Sequence, residues 1–353
     1  MYLIDFLTKK VLFNLDAEMA HNIVSRTLGA LSYAPQLLNP LIQKNFIDHP
    51  ELTQELFGKS FYNPVGLAAG FDKNASMNRS LLAFGFGHLE FGSVTRVPQE
   101  GNEKPRLFRY TKEKSLQNAM GFNNDGGYKV AHRLQKLYPF AVPIGINLGK
   151  NKDVSNEDAI ADYVFLVKTF NEIVDYIVIN FSSPNTKNLR DLQNKEFIEQ
   201  LFEELQGIVT KPILFKIAPD MSSEDAIDLC SFAIEKGAGG IIATNTTSDY
   251  SLLTGSKKIG GISGEALREK SFAMFKDISK ELFGKTTLIS VGGISNAKEA
   301  YRRILHGANL VQIYTAFIYE GSGCVRNINT ELLELLKSDG YTHISQAVGA
   351  NIA

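Results

Sequence analysis

The sequence predicts an α/β protein, a (β/α)8 TIM barrel with an N-terminal helical extension. Three observations predict it. From residue 65 onward, eight short apolar or β-branched runs recur, at 65–69, 88–93, 143–147, 176–180, 213–217, 240–244, 287–291 and 310–314. They are mostly apolar rather than alternating, which suits parallel strands buried on both faces. Helical patterns separate most of them, and strand and helix repeated eight times reads as a closed barrel. A doubly wound sheet is the alternative, but no G-x-G-x-x-G follows the first run.

In chain order, residues 1–44 read as amphipathic helices. Leu3, Ile4, Leu7, Val11 and Leu12 have helical spacing. Asp16 is a natural N-cap for a second helix, with Ala20, Ile23, Val24, Thr27, Leu28 and Leu31 on one face. Leu37, Leu38, Leu41 and Ile42 follow Pro35. Such a surface either packs on the main domain or dips into a bilayer. Residues 45–64 read as a linker, 65–337 as the barrel and 338–353 as a tail. Within the barrel, helices are expected at 156–170, 223–236 and 295–306. Asn156 and the Ser-Ser-Glu-Asp at 222–225 are start signals, and Lys236-Gly237 and His306-Gly307 are stop signals. Two connections, 94–122 and 245–265, are long, and long ordered loops in a compact domain are usually functional.

Composition narrows the class. Lys and Arg number 37 against 38 Asp and Glu, so no basic surface invites nucleic acid. An apolar fraction of 44% with 21% charged residues marks a globular chain. Cys230 and Cys324 alone exclude a disulfide framework and read as packing residues in a reducing compartment. No uncharged apolar run approaches the ~18 residues of a transmembrane helix. The first ten residues lack the layout of a cleaved signal peptide. No His-x-His or His-x3-His spacing points to a metal, and no histidine follows a strand tip as an acyl-transfer triad requires.

In barrels of this type, chemistry lives at the C-terminal strand ends. Here those ends read Gly70-Phe71-Asp72-Lys73, Ser93, Asn147, Asn180-Phe181-Ser182-Ser183-Pro184-Asn185, Lys216, Thr244-Asn245-Thr246-Thr247, Gly292-Gly293 and Tyr314-Thr315. A single asparagine there is a turn residue as readily as a ligand. The set together favours a ligand site. Gly292-Gly293, opening a helix, and Tyr314-Thr315 fit a phosphate held after the seventh and eighth strands. Lys216, flanked by apolar strand residues, points into the mouth. It reads as a Schiff-base nucleophile, a fixed cation beside a developing anion, or half of a rim ion pair. Lys73 is a second cation on that face, and two lysines suit an anionic cofactor with an anionic substrate.

The motifs Gly66-Leu67-Ala68-Ala69-Gly70-Phe71-Asp72-Lys73, Lys104-Pro105-Arg106, Asn118-Ala119-Met120-Gly121-Phe122-Asn123, Asn147-Leu148-Gly149-Lys150-Asn151, Asn180-Phe181-Ser182-Ser183-Pro184-Asn185-Thr186, Lys216-Ile217-Ala218-Pro219-Asp220, Ala243-Thr244-Asn245-Thr246-Thr247, Gly260-Gly261-Ile262-Ser263-Gly264 and Val311-Gln312-Ile313-Tyr314 form a specific set. In order and spacing, from residue 2 to about 336, the chain resembles the dihydroorotate dehydrogenase family, in its quinone-dependent class. The resemblance implies FMN as cofactor and oxidation of dihydroorotate to orotate in pyrimidine synthesis. It places FMN against Ala69, Gly70, Ser93, Asn147, Asn180, Lys216, Thr244, Gly264, Gly293, Tyr314 and Thr315. It places the substrate against Lys73, Asn118, Ala119, Met120, Gly121, Phe122, Asn180, Asn185, Asn245 and Thr246. Ser183 matches the catalytic base, and serine rather than cysteine there marks the quinone class. Thr186 and Phe122 match positions that shape a water relay. His21, Arg106 and Tyr314 match a path from flavin to quinone. Residues 1–44 then become a membrane-docking unit, peripheral on the cytoplasmic side of the cell membrane. The rival expectations are a soluble-class enzyme using fumarate or NAD, a lysine-dependent aldolase and a non-catalytic flavin- or phosphate-binding barrel.

Overall fold

The structure is a computed structural model that describes residues 10–352. Leu3, Ile4 and Leu7 of the first helical pattern lie outside the described residues. All eight expected runs form strands of one closed parallel barrel. In order around the barrel these are β3 (Val65–Leu67), β4 (His88–Val94), β7 (Ile144–Leu148), β8 (Tyr176–Asn180), β9 (Ile213–Ile217), β10 (Gly240–Ala243), β12 (Thr287–Val291) and β13 (Leu310–Ile313). Residues outside the barrel wall bury Leu, Ile, Val and Phe under the surrounding helices. Inside the barrel, chemistry changes along the axis. Near the strand starts lie Phe61, Tyr176, Leu214 and Leu310, all fully buried. Near the strand ends lie Asn147, Asn180 and Lys216. Register fixes that polar layer, because Gly92 pairs with Asn147 and Asn180 pairs with Lys216. Glycine is required at two interior positions. A Cβ on Gly66 would sit 2.0 Å from the His88 ring, and one on Gly145 would sit 2.2 Å from the Tyr176 ring.

Residues 45–64, read as a linker, hold an antiparallel hairpin of β1 (Gln54–Leu56) and β2 (Lys59–Phe61). Its turn residues Phe57 and Gly58 both have positive φ, 56° and 67°. That is the two-residue turn which matches strand twist, and it usually reads Asn-Gly. Phenylalanine in that place hides it from the sequence. Phe61 then plugs the base of the barrel, edge-on to His88 at 5.5 Å between ring centroids. The two long connections also pair. β5 (Leu107–Tyr110), β6 (Ser115–Asn118) and β11 (Gly261–Gly264) make an antiparallel sheet.

Two expected helices start late, at Ala159 and Ala297. Asn156 does not cap the first, because its amide donates to Asn188 O at 2.8 Å. Asn296 caps the second by accepting from Glu299 N–H. Ser222 caps the helix Ser223–Glu235. The tail packs on the barrel: Ile344 and Ala347 are fully buried, and Asn351 N–H donates to Leu305 O.

At the N-terminus, Asp16 caps α1 (Ala17–Leu31) through the N–H groups of Glu18 and Met19. α1 docks through Ser80, whose hydroxyl donates to Leu28 O at 2.6 Å. A second helix, α2 (Asn39–Asn45), follows, with the Asn45 amide buried on Ala83 O. Seven of the thirteen large hydrophobic residues exposed among the described residues fall within 10–46. They include Met19, Ile23, Leu37 and Ile42.

Candidate active site

The barrel mouth, the three-stranded sheet and α1 enclose a cavity that holds roughly 1320 Å³ of non-atom space, open to solvent on one side. Every site residue expected from the sequence lines it except Asn147, Ala119, Arg106 and Thr186.

Asn147 sits one step behind the floor and organises it. It accepts from Ser93 Oγ and, at 2.9 Å, from the Asn180 amide. Its own amide donates to Glu90 Oε1 at 2.8 Å. Asn180 accepts from the Asn245 amide at 3.1 Å, and that amide also donates to Ser182 Oγ. Ser182 Oγ in turn donates to Lys216 O. Lys216 Nζ lies 3.7 Å from Glu90 Oε1, so of the three readings of this lysine the structure supplies an ion pair, at the floor rather than the rim. Glu90 is not among the site residues expected from the sequence. The available signal was an acid inside an otherwise apolar strand.

The substrate side is a ring of amides. Asn185 donates to Asn118 Oδ1 at 2.8 Å, and its own Oδ1 is buried without a partner. Ser183 is buried, and its Oγ accepts from Asn185 N–H at 3.2 Å. Thr186 Oγ1 is also buried without a partner. Arg190 ties this loop to the next two. Its guanidinium donates to Ser182 O, Thr246 O and the Asp220 carboxylate. Burial raises the Asp220 pKa, but Lys270, Thr247, Ser248 and Arg190 together hold that carboxyl below its usual range. Arg190 carried no sequence signal, since it stands alone in a loop.

Lys73 reaches the cavity, and burial, with Arg106 adding repulsion, lowers its pKa to about 8. His21 of α1 reaches the same cavity edge-on to Phe71. Burial, then the Lys73 charge, lowers its pKa to about 3, so it is neutral at ordinary pH. Arg106 faces elsewhere. Its guanidinium is taken up by Glu18, Glu100 O and Asn102 O, with 2.9 Å to Glu18 Oε1. It therefore fastens α1 to the loop after β4 instead of lining the cavity.

The far end of the cavity is a backbone cradle. Gly264, Gly292 and Gly293 all have positive φ, which opens N–H groups to an anion. A Cβ on Gly293 would lie 2.3 Å from Arg268 Cα. Arg268 donates to Gly293 O and Ser295 Oγ, and Ser263 Oγ meets Thr315 Oγ1 at 2.9 Å. A glycine cradle at one end and a buried amide floor at the other fit a phosphorylated, flat heterocycle such as FMN.

The family model described as dihydroorotate dehydrogenase matches residues 51–336. The chain belongs to the dihydroorotate dehydrogenase family. A family relative named dihydroorotate dehydrogenase (quinone), from Nitratiruptor sp., is 58% identical over 98% of both chains. One of the same name from Helicobacter acinonychis is 51% identical, covering 98% of this chain and 99% of its own. The crystal structure of the Eimeria tenella DHODH in complex with ferulenol superposes with a TM-score of 0.84 at 34% identity, over 95% of each chain. The dihydroorotate dehydrogenase barrel and its N-terminal helices are thus shared well beyond the motifs.

Proposed function

We propose that this chain oxidises (S)-dihydroorotate to orotate with bound FMN, in pyrimidine synthesis, and passes the electrons to a membrane quinone. The observation that carries this reading is a buried serine hydroxyl in a ring of amides, sharing one cavity with Lys73 and Lys216. A small planar acid with amide edges needs donors and acceptors, and Asn118 offers its amide N–H groups, Asn185 its Oδ1 and Asn245 an Oδ1 acceptor, its own N–H groups being held by Asn180 and Ser182. Lys73 supplies a cation for the acid's carboxylate, and the partnerless Asn185 Oδ1 is free to accept from one of its ring N–H groups.

FMN, held by the Gly264, Gly292 and Gly293 cradle and the Asn180 and Lys216 floor, would supply the hydride acceptor and the electron path to quinone. Ser183 Oγ removes the proton from the carbon next to the substrate carbonyl. A hydroxyl is a weak base, so its proton must pass onward. The buried Thr186 Oγ1 and the Phe122 ring, which packs on Gly149, border the way out. Lys216, held at the floor, opposes negative charge that develops in the cavity. This supports its reading as a fixed cation over a Schiff-base nucleophile.

His21 and Tyr314 stand where α1 meets the cavity, which supports quinone access from that side. The exposed Met19, Ile23, Leu37 and Ile42 support peripheral docking on the cytoplasmic face of the membrane. Among the described residues, no helix is long and apolar enough to cross a membrane. Purified protein is expected to be yellow and to reduce a ubiquinone or menaquinone analogue in preference to fumarate or NAD. Colourless protein that cannot take up FMN would overturn the reading, and a preference for fumarate or NAD would overturn its quinone arm.

A further inference from the structure

Glu90 lies beneath the cavity floor, fully buried, and does not line the cavity. It nevertheless gathers three side chains. Oε1 accepts from Asn147 Nδ2 at 2.8 Å and lies 3.7 Å from Lys216 Nζ. Oε2 accepts from Gln312 Nε2 at 2.6 Å. Lys216 and Gln312 both line the cavity. A buried carboxylate is costly to keep, and an apolar residue often serves a scaffold as well or better. The geometry also differs from a tight ion pair. The two amides hold the carboxylate at hydrogen-bond distance, while the lysine stands further off and faces the cavity. The acid therefore offsets part of the lysine's charge without drawing the amino group out of the site.

We infer that Glu90 is a positioning residue that sets how much positive charge Lys216 presents to the cofactor, and so sets the oxidising power of the bound flavin. The inference rests on the flavin reading above. A cation beside the cofactor favours its reduced, more negative form. An anion directly behind that cation weakens the preference. Removing the anion and keeping the shape makes the cofactor a stronger oxidant.

The test is a spectroelectrochemical titration of the FMN-loaded protein. In Glu90→Gln, binding of the reduced over the oxidised cofactor is expected to rise about tenfold, a potential about 30 mV more positive. Glu90→Asp keeps the charge but draws it back by one methylene, and a shift of the same sign, about threefold, is expected. In a Lys216→Gln background the effect of Glu90→Gln is expected to vanish. An unchanged potential in Glu90→Gln overturns the inference, as does the same shift surviving without Lys216. A merely structural role would lower flavin occupancy and leave the potential of the bound fraction where it was, which also overturns it. If Glu90→Gln does not fold, Glu90→Asp decides alone, a positive shift supporting the inference and no shift ending it. Parent protein that takes up no flavin fails the functional reading instead.

Discussion

The floor and the roof of the cavity are built on different principles. The floor is carried on parallel strands, and its side chains bond to one another. Asn180 is held by Asn147 and Asn245, and Asn147 by Glu90. The roof is a helix laid across the mouth and fastened at a few points, chiefly Glu18 on Arg106 and Lys104, and Leu28 on Ser80. Its outer residues meet solvent, with Met19 53% and Ile23 44% exposed. Proton and hydride transfer need positions fixed to fractions of an ångström. Admitting a lipid-soluble acceptor needs a wall that opens. The proposed function puts chemistry on the floor and access at the roof, and each can be broken separately.

The largest effect is expected on the floor side. A positioned general base contributes roughly 10²–10⁴-fold, so Ser183→Ala should slow dihydroorotate-driven flavin reduction by about that factor. FMN should stay bound, because Ser183 is not among the groups expected to hold it. Anaerobic stopped-flow absorbance reads the rate, and an unchanged rate removes Ser183 from the base role. The matching cut on the roof is deletion of residues 1–44. It should cost quinone reduction far more than flavin reduction. Equal loss in both half-reactions would make α1 and α2 a folding element instead.

A milder cut unfastens the roof without removing it. Glu18 and Arg106 are both nearly buried, and breaking such a pair from one side costs about 3–5 kcal/mol. Burial alone would raise the Glu18 pKa, but the Arg106 and Lys104 charges and hydrogen bonds bring it below the usual range. A depressed carboxylate stabilises above its unfolded pKa, so the clamp holds at neutral pH and is lost as pH falls through the folded value. Glu18→Gln should therefore lose amide-exchange protection in α1 at neutral pH, while β8 and β9 keep theirs. Loss in the strands as well would tie roof and floor into one unit.

How much of this was legible in the sequence follows the same division. The eight strands and their polar tips were readable because a parallel strand must be apolar along its length, so each departure stands out. Ser183, Asn180 and Lys216 came from that contrast. Glu90 breaks the same contrast but lies inside a run, away from the strand tips where ligand groups are expected. Arg190 and Glu18 act through partners 30 and 88 residues away, and no local spacing encodes such a pair. The hairpin at residues 54–61 was hidden by Phe57 in a turn that asparagine usually fills. The resemblance puts Arg106 on the quinone path, and the fold adds that its guanidinium bonds Glu18, Glu100 O and Asn102 O.

Lys73 joins the two walls, and its titration sharpens the boundary between them. Its amino group is charged below about pH 8 and neutral above. Asp72 and Glu18 favour the charged form, Arg106 opposes it, and His21 beside it is neutral. If Lys73 binds the substrate carboxylate, kcat/KM for dihydroorotate should fall above pH 8 by about tenfold per unit. Lys73→Met should lower the plateau and abolish that slope. A slope retained in Lys73→Met would assign it to another group and free Lys73 from the carboxylate.

The smallest effect tests whether the outside of the roof meets lipid. Met19 and Ile23 project from α1 on the side not covered by the barrel, and each leaves roughly half its surface in water. Burying apolar surface is worth roughly 25 cal/mol per Å², so replacing one partly inserted side chain with serine should cost about 1 kcal/mol, or fivefold in partitioning. Met19→Ser with Ile23→Ser should thus weaken binding to phospholipid vesicles by about 25-fold, and raise KM for a long-chain quinone with it. Dihydroorotate-driven flavin reduction should not change, since neither residue lines the cavity. Tyr128, 71% exposed on a barrel helix, is the control, because Tyr128→Ser removes as much exposed apolar surface from a face that the docking reading leaves in water. Equal losses from both substitutions would mean that general hydrophobicity, not the roof, drives adsorption, and the roof would then be an access wall without being a membrane anchor.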